Sequence, residues 1–557
     1  MTDAPRDPVP DPTPSGLGRA SALLASGTLV SRILGFVKAI VLAATIGQVG
    51  SAAGNAFAVG NQLPNNIYAL IAGGVLGAIL VPQIVRAGLH DDGGQRFINK
   101  IVTLGATVFI VIAILATLAA PLLVALYAQS SADGERGFTP EGIALATAFA
   151  YWCLPQVLFY ALYSLLGEVL NARKAFGPFT WAPVLNNVVA IAGLVAFSIL
   201  FGGAAENSDV AVWDTDRIAV LAGTTTLGVA AQAAVLVLFW RRAGLSFRPD
   251  FRWRGVGLRR TGRSAGWVFG MILVTQVAGI FQSNVASIAA DNGPGLFALS
   301  NSWLIFMLPH SVIAVSIATA YFTRMSGHAT TGNMDGVRDD VSASLRSIGL
   351  LVMLAAAALL VAAIPFAAVF ETDYDNAVAM AWVIMAFLVG LVPFSAVFVM
   401  QRVFYSLEDT RTPFFVETVK AGLFIIGALI VSTLPTDRIG VGIAAVTTLA
   451  GLAQAVLTFV LLRRRLGHMG GRLILRRHVQ YVVASLPAAA VGVGVLLLLG
   501  GLDPTGFAHA NRYAAILTVA VIGAVMAGVY FAVLLVMRVP ELDGVVQIVS
   551  RRIRRRR

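Results

Sequence analysis

Two cations stand inside an apolar run near the start of the chain. The stretch Thr28-Leu29-Val30-Ser31-Arg32-Ile33-Leu34-Gly35-Phe36-Val37-Lys38 lies within the run 21–47. At 3.6 residues per turn, Thr28, Ser31 with Arg32, Gly35 and Lys38 follow at three- and four-residue steps along one side of a helix; the other side is Leu, Val, Ile and Phe. A cation near the middle of a membrane helix costs at least about 2.5 kcal/mol, and these two are about 9 Å apart along the axis. Groups that costly should face a hydrated, protein-lined space, where their chemistry is to receive an anionic group of a transported molecule. A buried ion pair, or a Lys38 snorkelling to the helix end, is the alternative.

The second apolar run supplies amides. Asn55, Gln62 and Asn65 are seven and three residues apart and share a helix face, with Asn61 and Asn66 at its margins and Pro64 interrupting the backbone ladder. In hydrocarbon such amides need partners, in a hydrated cleft, in a polar ligand or in a neighbouring helix. Four further residues are candidates for gating or cavity roles: Pro64, Glu168 and Arg402 near the ends of their runs, and His310 directly after Pro309. Glu417 and Lys420, three apart, are expected to neutralise each other. No P-loop, HExxH, nucleophile elbow or metal-ligand spacing occurs, so no catalytic residue, metal or cofactor is assigned. The Asp91-Asp92 pair has no companion site and is not assigned a magnesium.

These residues must be positioned by membrane helices. The chain has 557 residues, 57% hydrophobic and 12% charged, with a mean hydropathy of +0.81, which excludes an ordinary soluble domain. Apolar runs of about 20 residues, enough to cross a ~30 Å core, recur fourteen times: 21–47, 53–86, 101–127, 141–170, 180–201, 217–240, 264–290, 296–323, 347–370, 377–406, 414–434, 439–462, 479–500 and 513–537. Loops on the leader's side are rich in arginine, including Arg241, Arg242, Arg248, Arg252, Arg463, Arg464 and Arg465. Loops on the other side carry Asp133, Glu206, Asp209, Asp214, Glu371, Asp373 and Asp503. The positive-inside rule then places both termini in the cytoplasm of a multi-pass plasma-membrane protein. The net charge of +12 is accounted for by these loops and the tail, not by nucleic acid.

The expected fold is an all-α polytopic membrane protein of about fourteen helices, two six-helix lobes related as parallel repeats plus two C-terminal helices. Residues 1–18 read as a disordered cytoplasmic leader, 19–240 as the first lobe, 241–263 as a basic cytoplasmic linker, 264–463 as the second lobe, 479–537 as the terminal helix pair and 538–557 as a basic cytoplasmic tail. The repeat shows in Gln62-Leu63-Pro64-Asn65 of span 2 against Met307-Leu308-Pro309-His310 of span 8, and in Leu154-Pro155 of span 4 against Val392-Pro393 of span 10.

The residues Thr28-x-x-Ser31-Arg32-x-x-Gly35-Phe36-x-Lys38, Asn55-Ala56-Phe57, Leu63-Pro64-Asn65, Val81-Pro82, and the Leu170-Asn171 to Pro178 turn followed by Ala182-Pro183-Val184-Leu185-Asn186-Asn187 resemble the MurJ (MviN) lipid II flippases of the MOP exporter superfamily, in their actinobacterial form. The resemblance covers residues 20 to 540. It implies transport of an undecaprenyl-pyrophosphate-linked peptidoglycan precursor from the inner to the outer leaflet by alternating access, with a C-terminal groove for the lipid tail. Arg32, Lys38, Ser31, Asn55, Gln62 and Asn65 would then hold the pyrophosphate. Arg32 would act as a fork and Lys38 as a point charge. Where relatives place further cations in spans 2 and 8 and a carboxylate at the start of span 2, this chain has Tyr68, a position near Leu304, and Asn55. The implied partners are lipid II, membrane lipids and cell-wall synthesis or division proteins, with no nucleic acid and a monomeric state. The competing readings are a MOP exporter of another lipid-linked oligosaccharide and a non-transporting cell-wall assembly scaffold.

Overall fold

The computed structural model describes residues 14–75, 94–131, 136–173, 175–242, 244–252 and 262–542. Val81-Pro82, Asp91-Asp92, Asp133, Arg254 and the arginine-rich terminus after Leu542 lie outside the described residues. Helices account for the architecture: α1 Pro14–Ile46, α2 Ala52–Val75, α3 Gln95–Leu118, α4 Ala120–Tyr127, α5 Pro140–Cys153, α6 Gln156–Ala172, α7 Phe176–Phe201, α8 Thr215–Arg242, α9 Gly262–Ala286, α10 Leu296–Pro309, α11 Val315–Thr330, α12 Met334–Val361, α13 Ala363–Ala368, α14 Tyr374–Leu388, α15 Leu391–Ser406, α16 Arg411–Val431, α17 Thr436–Leu466, α18 Gly471–Leu498 and α19 Arg512–Val536. Thirteen helical stretches among the described residues are long and apolar enough to cross a membrane. α2, whose amides at 55, 61, 62, 65 and 66 lower its hydropathy, packs among them against α5, α6 and α9.

Several spans are broken rods, and the breaks repeat. α3 gives way to α4 at Ala119, ahead of Pro121, and α12 gives way to α13 at Ala362, ahead of Pro365. α5 yields to α6 at Leu154-Pro155, and α14 yields to α15 at Val389-Gly390, three residues before Pro393. Proline lacks the N–H that would continue the ladder and is tolerated at the start of a new helical segment, so each break falls where a proline opens the next turn. In the span α10–α11 the ladder is kept by a π-turn at His310–Ala314, directly after Pro309.

Helices up to residue 242 pack on one another, chiefly α1 on α7, α7 on α8, α8 and α3 on α6, and α2 on α5. Helices from 262 to 466 do the same through α9 on α16, α16 on α17, α15 on α17, and α11 on α12. α18 and α19 pair and lean on α12. Small residues set the distances: a Cβ on Gly228 of α8 would come within 2.6 Å of Asn186 Oδ1 on α7, so these two helices meet at a spacing only glycine allows. Outward faces carry Leu115, Leu118, Leu122, Ile199, Leu238, Ile426, Val456 and Leu498, all exposed in the way a lipid-facing surface requires.

One boundary is moved, and two further segments make contacts that composition does not record. The leader does not extend to residue 18, because α1 begins at Pro14, a residue suited to a first helical position. The linker is not a free basic loop along its first part: the amides of Arg248 and Asp250 donate to Asn99 Oδ1 and Thr103 Oγ1 of α3 at 3.3 and 3.0 Å. Nor is the start of the tail free. Val539 and Leu542 are buried, and Glu541 is ion-paired to Arg346 of α12 and to Arg477 of α18, the latter at 3.4 Å.

Candidate functional site

α1 begins at what we call the near face of the bundle and ends at the far face. Arg32 and Lys38 are both half-buried. Among the described residues no carboxylate pairs with either. Arg32 and Lys38 are six residues, about 9 Å, apart along α1, within the apolar run 21–47. Arg32 lies close enough to His310 of the second half for the two to interact electrostatically. The stripe expected as one face is divided. Gly35 faces Asn187 of α7, whose Nδ2 donates to the Ser31 carbonyl oxygen at 2.9 Å, so Ser31 and Gly35 belong to the α1–α7 seam. On another side Phe36 meets Phe366 and Phe370 edge-on at 5.9 and 5.4 Å.

The amides of α2 also separate. Asn55 is fully buried; its Nδ2 donates to Ala290 O at 2.6 Å and to Ser51 O at 3.0 Å, and its Oδ1 accepts the Phe297 amide at 2.9 Å. Every polar atom is used, so its expected role in holding substrate is corrected to a tie between halves. Gln62 Nε2 donates to Ser283 Oγ at 2.7 Å, again across the halves, and the Asn66 carbonyl accepts from Gln276 at 2.7 Å. Asn65 is exposed, while Pro64 beneath it is buried.

The remaining candidates have definite surroundings. His310 is buried, shares a 3.0 Å hydrogen bond with Ser395 Oγ and packs on Phe394 and Phe398 at 4.7 and 5.2 Å. Arg402 lies over Phe398 and Phe322. Glu168 interacts with Asn171, one turn along its own helix. Glu417 accepts from Lys420 at 2.9 Å and from Gln454 at 2.7 Å, the expected mutual neutralisation.

Residues not picked out from sequence join the halves at the far face. Asn301 donates to Gln48 Oε1 at 2.8 Å, the Gly50 amide to Gly293 O at 3.1 Å, the Val49 amide to Glu371 Oε2 at 3.3 Å and the Gln129 amide to Ser287 Oγ at 2.7 Å; Arg136 reaches the carbonyls of Ser432 and Leu434. Gln276, Ser283 and Gln48 could have been found by applying to span 7 and the first loop the amide-in-membrane criterion used for span 2. Glu371 is outside the spans; burial pushes its carboxyl above the usual range, against the pull of the Val49, Asp373 and Thr372 amides. At the near face, the ties that hold loop segments (Gln95 to Ser246, Arg338 to Leu466) stay within one half.

The family model described as "Lipid II flippase MurJ" matches residues 42–510. The chain belongs to this family. A relative from Rhizobium meliloti (strain 1021), named "Probable lipid II flippase MurJ", is 27% identical over 496 residues, covering 85% of this chain and 86% of its own. One of the same name from Haemophilus influenzae is 26% identical over 409 residues, 69% and 75% of the two chains. In fold, the chain is similar to "Lipid II flippase MurJ, inward closed conformation", with a TM-score of 0.68 at 16% identity over 92% of this chain and all of that one. It is also similar to an inward-facing MATE-family multidrug transporter of the MOP superfamily, with a TM-score of 0.60 at 16% identity, over 81% and 99%. The all-α polytopic fold and the MurJ family membership expected from sequence both hold.

Proposed function

We propose that this protein is a lipid II flippase of the plasma membrane, moving the undecaprenyl-pyrophosphate-linked peptidoglycan precursor between leaflets by alternating access, without covalent chemistry. The observation that carries the reading is the pair Arg32 and Lys38. Two cations set into the first spanning helix of this family's fold, with no carboxylate partner among the described residues, are complementary to a diphosphate. The same sign argues against a cationic cargo of the kind a multidrug fold can carry. Asn65, exposed beside Pro64, supplies a neutral donor on α2.

The positive-inside distribution supports a cytoplasmic near face. The two helical sets, 19–240 and 264–463, are then the bodies that move, with 479–537 riding on the second. In this conformation the halves are joined from the far face down to Asn66 and Gln276. The hydrogen bonds between the halves named above run from that face toward the middle of the bundle. That arrangement supports a state sealed on the outward side. Spans 13 and 14 keep the polyprenyl chain in lipid while the headgroup crosses. The test is depletion of the protein in its own host, followed by assay of lipid II on the outer leaflet. Exposure should fall, and persistent exposure with no redundant flippase would reject the reading.

A further inference from the structure

Among the described residues, cations of α11, α12, α16 and α18 have carboxylate partners. Arg324 lies 2.8 Å from Asp340, Lys420 lies 2.9 Å from Glu417, and Arg346 and Arg477 share Glu541. Arg402 of α15 meets no carboxylate among the described residues. It is half-buried, with its guanidinium carbon 4.7 Å from the ring centre of Phe398, one turn earlier, and 5.4 Å from that of Phe322 on α11. A side chain clamped by rings from two helices is held in the protein and is not reaching for the interface.

Contact of the guanidinium with the two rings does not use its N–H edge, and the edge is what an oxyanion takes through two parallel hydrogen bonds. No described residue accepts from that edge. Beyond Phe398 stands His310, at 5.2 Å, which in turn interacts with Arg32. Arg402 is four residues, about 6 Å, from the near end of α15.

We propose that Arg402 is an oxyanion-binding group of the second half, taking a phosphate or a carboxylate of the same headgroup that Arg32 receives, so that the bound headgroup bridges the two halves. This rests on the flippase reading. The full-length protein, in phosphatidylcholine nanodiscs free of anionic lipid, is titrated with lipid II and with undecaprenyl diphosphate, which keeps the phosphates and lacks the peptide carboxylates. Arg402→Gln should weaken lipid II binding about tenfold, equivalent to about 1.4 kcal/mol. Arg402→Lys, which keeps the charge and safeguards the fold, should recover only part of the loss because an ammonium has no fork. An equal loss for both ligands assigns the phosphates; a loss confined to lipid II assigns a carboxylate. Unchanged lipid II affinity in both Arg402 variants, while Arg32→Gln is weakened, overturns this inference and leaves the flippase reading standing. Failure of the wild-type protein to bind lipid II overturns both.

Discussion

At the scale of single residues, the argument concerns which cations lack a counter-charge. Arg32→Ala removes the fork from the first helix and should abolish complementation of a depleted strain, with protein level unchanged on a membrane blot. Lys38→Arg, which keeps the charge, should retain function, and Lys38→Ala should lose it. Complementation by Arg32→Ala at wild-type level would favour the scaffold reading. Arg32 and Lys38 were legible because two charges in an apolar run stand out whatever they touch. Asn55 was not placed correctly, because periodicity gives a shared face and not its neighbour. The residue i+7 from Asn55 is Gln62, and both turn toward the second half, whose approach no local pattern records.

At the scale of elements, the fourteen apolar runs and the proline breaks could be read directly, since span length and the missing N–H are local properties. The docking of 248–250 on α3 and of 539–542 under α12 and α18 could not, because both depend on polar partners distant in sequence. The Glu541 clamp gives a prediction. It is a buried carboxylate shared by two arginines, and removing it leaves them uncompensated. Glu541→Gln should cost about 3 kcal/mol, read as a lowered melting temperature in detergent, with the terminal helix pair exposed first to limited proteolysis. A second prediction concerns α17. A Cβ on Gly440 would lie 2.3 Å from the Pro294 carbonyl oxygen, in the loop that receives Asn55 and Gly50. Since backbone is displaced, Gly440→Ala should cost about 1–3 kcal/mol and loosen the far-face contact. Spin labels across the halves should report the loosening as a broadened distance distribution.

At the scale of the whole molecule, hydrogen bonds join the two halves from the far face down to Asn66, and one of the far-face acceptors titrates. Glu371 receives the Val49 amide across the halves and has its pKa raised by burial, with Asp373 adding to the rise; Arg512 lies within electrostatic range. A carboxyl with a higher pKa in the closed state than in the opened, hydrated one binds its proton more tightly when closed. The closed far face should therefore weaken as pH rises from the ordinary glutamate value, about 4.3, to the raised one, and strengthen as pH falls back through that interval. Labels at Asp214 and Asp437, with Cys153 replaced, should show the short-distance population growing on acidification, and Glu371→Gln should flatten the response. An unchanged response in that variant would place the sensor elsewhere. The far-face ties also bear on ion leakage. An energised bilayer cannot tolerate a continuous aqueous thread, and bonds between membrane helices average only about 0.6 kcal/mol each. A plug assembled from amides and main-chain groups is thus tight enough in aggregate to block protons and cations, yet each link is weak enough for an arriving headgroup to undo, so insulation and turnover need not compete.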